Sequence, residues 1–234
     1  MTRVKPPRYI NKQDITTAAD RLLDRMRESG FTPKWPQLAD LVTDFLDLSI
    51  IWESFDPLED GVIAAKILPS KSEIYINDAF QAIHDNHGLY ESTLAHEIGH
   101  WMLHIDRDEP GHPGLGVTVG NDLVKIESPE TSLGEEIFLC RNLDKKISDA
   151  LHQKTPDDWR EWQAQYFASC LLMPLAKIEE VRQGRNLTNW NHVNAIADEL
   201  GVTKSNLVNR LQDLEYLEKS NSSSRLYLGK RSRK

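Results

Sequence analysis

Residues 93–105 read TLAHEIGHWMLHI, and this stretch decides how the rest of the chain is interpreted. It contains the pattern HExxH, with its histidines at His96 and His100. On an α-helix, two residues four apart lie on one face, roughly 6 Å apart along the axis, so both imidazoles can bind one metal ion. Glu97 is too close to His96 in sequence to be a third ligand on that face, but its carboxylate can accept a proton from an attacking water molecule. The pattern therefore predicts a metal site, typically for zinc, with Glu97 as the general base.

The apolar residues of this stretch are spaced as in a helix that packs with one face. Leu94, Ile98 and Trp101 form an apolar stripe, and the two histidines lie roughly 150° from its centre at about 100° per residue. We therefore expect one face of the helix to be buried and the opposite face to present the histidines.

A third protein ligand has to come from outside HExxH. His104 lies about 12 Å from His96 by the helical rise, which is too far to bind the same ion. Asp106 has the spacing of a ligand in another class of zinc peptidase, but that class needs a glycine where this chain has Leu103. Both residues are therefore disfavoured as ligands.

Glu161 is a better candidate, because it lies on a helix that we predict between Pro156 and Met173. Ala164 and Ala168 follow on the same face, and small residues allow two helices to approach closely enough for a carboxylate to reach the metal. On spacing alone, Glu161 could also be an exposed acidic residue in the first turn, where the helix dipole favours it.

Two segments together resemble the ImmA/IrrE family of zinc metallopeptidases. They are HEIGHWMLH at residues 96–104 and EWQAQYFASCLLMP at residues 161–174, and the second fits the pattern E-x-x-A-x-x-F-A-x-x-L-L-M-P. The resemblance covers residues 14–180 and implies a gluzincin-like α+β core with Glu161 as the third zinc ligand. It also implies a site-specific endopeptidase whose substrate is a helix-turn-helix transcriptional repressor, cleaved in a stress or mobile-element response.

The chain differs from the family pattern at two points. The interval between His100 and Glu161 has 60 residues, longer than in compact members, which predicts an insertion over residues 106–155. Gln163 and Gln165 stand where the family often has Glu and Asn, at positions that can orient the metal ligand.

Composition limits the class of protein. The chain has 234 residues, a formal net charge of −8 and two cysteines, too few for a disulfide framework. Its first residues lack the apolar stretch of a secretory signal, and no apolar run approaches the ~20 residues of a membrane-spanning helix. We therefore expect a cytoplasmic protein that does not contact membranes. Residues 219–234 carry six basic side chains and no acidic one, and we expect a disordered basic tail at 218–234.

The periodicity of the remaining sequence predicts helices around a small sheet. The first helix is expected to be capped by Asp14, and the second to begin at Pro36. Three strands, expected to form an antiparallel sheet, are predicted at 49–55, 61–68 and 73–77. The alternation in Glu73–Asn77 indicates an edge strand that could pair with an extended substrate segment.

Residues 1–184 are expected to form the metallopeptidase domain, and residues 185–217 a helix-turn-helix-like module. The second helix of that module carries three residues that could contact DNA: Lys204, Asn206 and Arg210. The acidic body of the chain disfavours general nucleic-acid binding. The alternative function is nevertheless a DNA-binding or partner-binding regulator whose metal site is structural or sensory.

Several further residues have two interpretations each. His84 and His87 could reach a substrate or be ordinary loop histidines. Tyr166 could stabilise an oxyanion, but a tyrosine between helices is more often part of the core. A site of two histidines and a glutamate also accepts manganese or another divalent ion in place of zinc.

Overall fold

The computed structural model describes residues 2–55, 63–107, 138–141, 156–219 and 225–233. The helices in these ranges are α1 (Lys12–Glu28), α2 (Leu38–Phe45), α3 (Gln81–Asp85), α4 (His87–His104), α5 (Pro156–Leu172), α6 (Leu175–Val181), α7 (Trp190–Leu200) and α8 (Lys204–Asp213). The strands are β1 (Thr2–Val4), β2 (Ser49–Glu53), β3 (Ile63–Leu68), β4 (Glu73–Asn77), β5 (Ile105–Arg107), β6 (Phe138–Arg141), β7 (Leu217–Lys219) and β8 (Leu226–Leu228). The fold is thus α+β, mostly helical with a small sheet.

The first helix begins earlier than predicted, because Asn11 and not Asp14 is its N-cap. The Asn11 side chain accepts a hydrogen bond from the backbone N–H of Asp14 at 2.9 Å, the usual role of an N-cap residue. The second helix begins at Leu38, just after the predicted start at Pro36. The apolar periodicity thus located both helices, whereas their first residues depend on local hydrogen bonds.

The main sheet is mixed, so the prediction of an antiparallel sheet is wrong. Its strand order is β2-β4-β3-β6, with β3 antiparallel to both neighbours and β2 parallel to β4. β3 is buried along nearly its whole length and takes an interior position, whereas the partly exposed β2 lies at an edge. Strand β3 runs opposite to β2, and β4 runs opposite to β3. Strands β2 and β4 therefore run in the same direction and pair in parallel.

The prediction that Glu73–Asn77 is an edge strand is also wrong. This segment is β4, and both of its sides are paired, Ile74 with Ile50 of β2 and Ile76 with Ala65 of β3. Ile74 and Ile76 are fully buried, as expected for the centre of a sheet. No backbone edge of β4 is therefore left to bind a substrate segment.

From Glu91 to His104, helix α4 is buried on all sides, and not on one face as its sequence predicted. It packs against β3 of the sheet and against α5, and His96, His100 and His104 are as buried as its apolar residues. The face that carries the histidines is covered by α5, which supplies polar partners to it. The polarity of this face reflects polar contacts between two helices and not contact with solvent.

Helices α7 and α8 contribute to the same hydrophobic core as the preceding helices, through residues such as Val193 and Leu207. Gly201 ends α7 with φ = 65°, and a Cβ at that position would lie 2.3 Å from the carbonyl oxygen of Pro36. At the start of α4, a Cβ on Gly88 would lie 2.6 Å from the backbone of Val202. The turn between α7 and α8 therefore packs tightly onto the beginning of α4, and the boundary at residue 185 stays a prediction.

The end of the chain differs from the disordered tail that we predicted for residues 218–234. β8 pairs antiparallel with β7, and residues 230–233 form a short 3-10 helix. Leu226 is buried against the core and anchors the hairpin, which composition alone did not indicate. Residues 220–224 and 234, and most of the predicted insertion at 106–155, lie outside the described residues.

None of the helices in the described ranges has the length and apolar character needed to cross a membrane.

Candidate metal centre

Three predicted ligands lie together where α4 and α5 cross. His96 Nε2 is 3.1 Å from Glu161 Oε2, and His100 Nε2 is 3.2 Å from Glu161 Oε1. The two Nε2 atoms are 3.0 Å apart, and one donor atom from each residue lies within 4.8 Å of the others. One ion could therefore contact all three side chains at once.

The close crossing of the two helices explains how Glu161 reaches the histidines. A Cβ at Gly99 would lie 2.7 Å from the carbonyl oxygen of Ala164, so only glycine fits there. Ala164 was predicted to permit this approach, but Gly99 was missed. A glycine inside a helix between two histidines was the signal that could have indicated it.

Burial controls the charge state of these side chains. His100 is fully buried, and this lowers its pKa to about 4, although the nearby carboxylate of Glu161 acts in the opposite direction. Burial alone would raise the pKa of Glu161, but the imidazoles of His100 and His96, with nitrogen atoms 3.2 Å and 3.1 Å from its oxygens, outweigh burial and hold the pKa well below its ordinary value. At neutral pH the centre thus offers a neutral imidazole at His100 and an ionised carboxylate, the forms that bind metals.

The donor set fits zinc. Two imidazole nitrogens and one carboxylate oxygen form the protein part of many catalytic zinc sites, which leave a further position for water or substrate. The side chain of Glu161 is 26% exposed, whereas both histidines are buried, so the cluster is reached from the Glu161 side. That the cluster binds zinc stays a prediction.

Glu97 lies on α4 between the two histidines and is fully buried. A buried carboxylate on the residue next to His96 is suited to hold and release a proton. Its role as general base stays a prediction.

The two disfavoured ligand candidates take different positions. Asp106 is exposed on β5 and is not part of the cluster. His104 is buried one turn after His100, and their Nδ1 atoms are 3.0 Å apart. Burial and the neighbouring His100 lower the pKa of His104 to about 3.

Gln163 is a polar partner whose role sequence reasoning missed. It is fully buried on α5, its Oε1 atom is 3.0 Å from His104 Nε2, and its amide donates to the carbonyl oxygen of Arg8 at 2.8 Å. The sequence marked Gln163 only as a departure from the family pattern, since nothing local connects it with Arg8.

The residues with two interpretations make contacts outside the cluster. His84 stacks on Trp52 at a centroid distance of 5.0 Å, and His87 lies near the carbonyl oxygen of Pro36. Tyr166 stacks on Trp162 at 5.6 Å. These contacts favour packing roles.

A family model described as the IrrE N-terminal-like domain, Peptidase_M78, matches residues 136–212 of the chain. The matched segment includes α5 with Glu161, whereas the HExxH helix precedes it. No curated protein matches the chain. The match confirms the resemblance that the two motifs indicated, and it points to a peptidase.

Proposed function

From the match to the IrrE N-terminal-like domain over residues 136–212, we propose that this chain is a zinc-dependent, site-specific endopeptidase of the ImmA/IrrE type. The observation that carries the proposal is the convergence of His96, His100 and Glu161, with donor atoms within 4.8 Å, on helices of which α4 also carries the buried Glu97. This combination joins a three-ligand metal site to a potential proton acceptor, as peptide hydrolysis requires.

In the proposed mechanism, His96, His100 and Glu161 hold the ion and Glu97 transfers protons. A zinc ion supplies Lewis acidity, which polarises a peptide carbonyl and makes water a better nucleophile at neutral pH. Glu97 accepts the proton of the attacking water and then delivers it to the leaving amine nitrogen. The low pKa of Glu161 keeps its carboxylate ionised, so it does not compete with Glu97 for that proton.

The proposed substrate is a helix-turn-helix transcriptional repressor that is cut in a stress or mobile-element response. The family match supports this substrate, and it also supports the proposed gluzincin-like core. Such a substrate places the activity in the cytoplasm.

The alternative, a regulator that binds DNA through α8, has less support. Arg210 is 1% exposed and donates from Nε to the carbonyl oxygen of Met173, and Asn206 donates to Ser92 Oγ. Of the three residues that this alternative used, only Lys204 is exposed. The exposed surface of α8 also carries Asp213, which pairs with Lys12.

A cleavage assay with a matched variant tests the proposal. The zinc-loaded protein is incubated with the repressor encoded nearest its gene, and fragments are followed over time. We expect one discrete cut, and we expect Glu97→Gln to slow it by at least ~10²-fold, because an amide cannot accept the proton.

The variant should bind zinc and the repressor as the parent protein does, since Gln has nearly the shape of Glu. Cleavage by Glu97→Gln at the parental rate would refute the mechanism. Specific DNA binding without any cleavage would favour the regulator.

A further inference from the structure

We propose that His104 and Gln163 are positioning residues that hold His100 in one tautomer, with hydrogen on Nδ1 and the lone pair of Nε2 directed at the ligand cluster. The inference rests on the proposed function only in taking that cluster as a metal site. We call the series His100, His104, Gln163 and the carbonyl of Arg8 the relay.

The direction of the relay is fixed at its far end. A backbone carbonyl oxygen only accepts, so the group of Gln163 that faces Arg8 at 2.8 Å must be its NH2. The Oε1 atom then faces His104 and, as an amide oxygen, also only accepts. The bond of 3.0 Å between them is therefore donated by His104 Nε2.

The same argument continues through the two rings. A neutral imidazole has one N–H, so His104, which donates from Nε2, accepts at Nδ1. Its partner there, at 3.0 Å, is Nδ1 of His100, which must donate. The Nε2 atom of His100 consequently carries the lone pair, and this is the atom that faces His96 and Glu161.

Burial makes this order strict. Within the relay, the exposed fractions are 0% for His100, 4% for His104 and 0% for Gln163, so water has little access to replace a member. In a buried network, a reversed bond leaves two lone pairs or two hydrogens facing each other, which is costly.

The anchor of the relay is itself held in place. Arg8 belongs to the segment between β1 and α1, where Lys5 N donates to the carbonyl oxygen of His104 at 2.7 Å. Arg160 Nη2 donates to the carbonyl oxygen of Lys5 at 2.6 Å. The segment is thus bonded to both α4 and α5, and an ordered carbonyl is available to Gln163.

Nuclear magnetic resonance of the metal-free protein, labelled with ¹⁵N-histidine, tests the tautomer directly. At pH 8 we expect a proton bonded to His100 Nδ1 and a nitrogen–nitrogen coupling across the hydrogen bond to His104 Nδ1. A proton bonded to His104 Nδ1, or no proton on either Nδ1 atom, would overturn the inference.

Zinc affinity, measured by competition with a chromophoric chelator, tests the consequence for the metal site. His104→Leu removes the acceptor, and we expect it to weaken zinc binding by roughly 10–100-fold, as loss of such a partner typically does. His104→Asn keeps an acceptor near the position of Nδ1 and should stay within about threefold of the parent. Equal affinity of His104→Leu and the parent would contradict the relay.

Gln163→Leu provides a second variant that leaves both rings in place. It removes the acceptor for His104 Nε2, and we expect zinc affinity to fall while the proton on His100 Nδ1 is partly lost. If His104→Leu does not fold, this variant and the measurement on the parent decide the outcome.

These results are independent of proteolysis. A proton on His100 Nδ1 in a protein that cleaves no repressor would support the relay and refute the endopeptidase. Cleavage of the repressor by a protein that has no proton on His100 Nδ1 would refute the relay and leave the endopeptidase proposal intact.

Discussion

The carboxylate of Glu161 reaches both imidazoles of the cluster, so its removal should affect metal binding more than that of any neighbouring acid. We expect Glu161→Ala to lower zinc affinity by more than the roughly 10–100-fold typical for loss of an outer partner. Titration calorimetry would measure it, with the exposed Asp106→Ala as the control. His104→Ala should still bind one zinc per chain, and the assignment would reverse if it lost zinc while Glu161→Ala retained it.

Glu91 is a buried acid outside the cluster, and it makes stability depend on pH. It is 0% exposed and accepts a hydrogen bond from the backbone N–H of Ala39 at 2.9 Å. Burial raises its pKa to about 8, the hydrogen bond from Ala39 acts against this, and the negative charge of Asp40 adds to it.

Because this pKa is raised, the folded protein keeps a proton that the unfolded chain releases. The stabilisation is complete below the ordinary pKa of 4.5 and is lost as the pH rises through about 8. The unfolding free energy should therefore decrease between these values by at most about 1.4 kcal/mol per pH unit from this group. Urea unfolding of Glu91→Gln should show a flatter pH profile, whereas the exposed Glu28→Gln should match the parent.

At the residue scale, the sequence was sufficient to predict the position of side chains whose chemistry needs a fixed spacing on a helix. His96 and His100 are such a pair, and the structure brings them to Glu161 as predicted. Gln163 was not predictable in the same way. Its role depends on a carbonyl 155 positions away in the chain, and no local pattern encodes that distance.

Among the secondary-structure elements, the crossing of α4 and α5 is the most sensitive to substitution. Gly99→Ala would place a methyl group 2.7 Å from the carbonyl oxygen of Ala164, and since this is backbone, the helices must separate. We expect a loss of roughly 1–3 kcal/mol of stability, typical of overpacking, together with weaker zinc binding. Thermal unfolding and chelator competition would measure both effects.

Asn209→Ala on α8 is a suitable control, since it also introduces an alanine into a helix but at an exposed position. If Gly99→Ala bound zinc as tightly as the parent, Glu161 would not depend on the close crossing.

The helices and strands themselves were largely predictable, because both follow local periodicity. How they pack and pair with one another could not be predicted from the sequence. The alternation of Glu73–Asn77 correctly indicated a strand, but the same alternation occurs in central and edge strands, and β4 proved to be central. For α4, one face was expected to be buried and the other to present the histidines, whereas the histidine face is itself buried against a second helix that carries matching polar groups.

Across the whole molecule, the two C-terminal helices are packed onto α4, the helix that carries the candidate metal ligands His96 and His100. Gly88 of α4 touches Val202, and Asn206 donates to Ser92 Oγ at 2.7 Å. We expect a chain truncated after residue 184 to unfold at a clearly lower temperature and to bind zinc more weakly, because α4 would lose part of its support.

Differential scanning calorimetry with and without zinc would measure this, with Lys204→Ala in the full chain as a control for an exposed change. A truncated chain as stable as the parent would show instead that residues 1–184 fold independently.

The pairing of β1 with β5 also orders events during synthesis. Thr2 pairs with Arg107, and the carbonyl of Arg8 receives its hydrogen bond from Gln163, so β1 and the segment after it obtain partners that are synthesised much later. A nascent chain that has not yet released α5 from the ribosome has neither Glu161 nor the relay. Translation itself therefore delays assembly of the candidate metal centre until α5 has emerged.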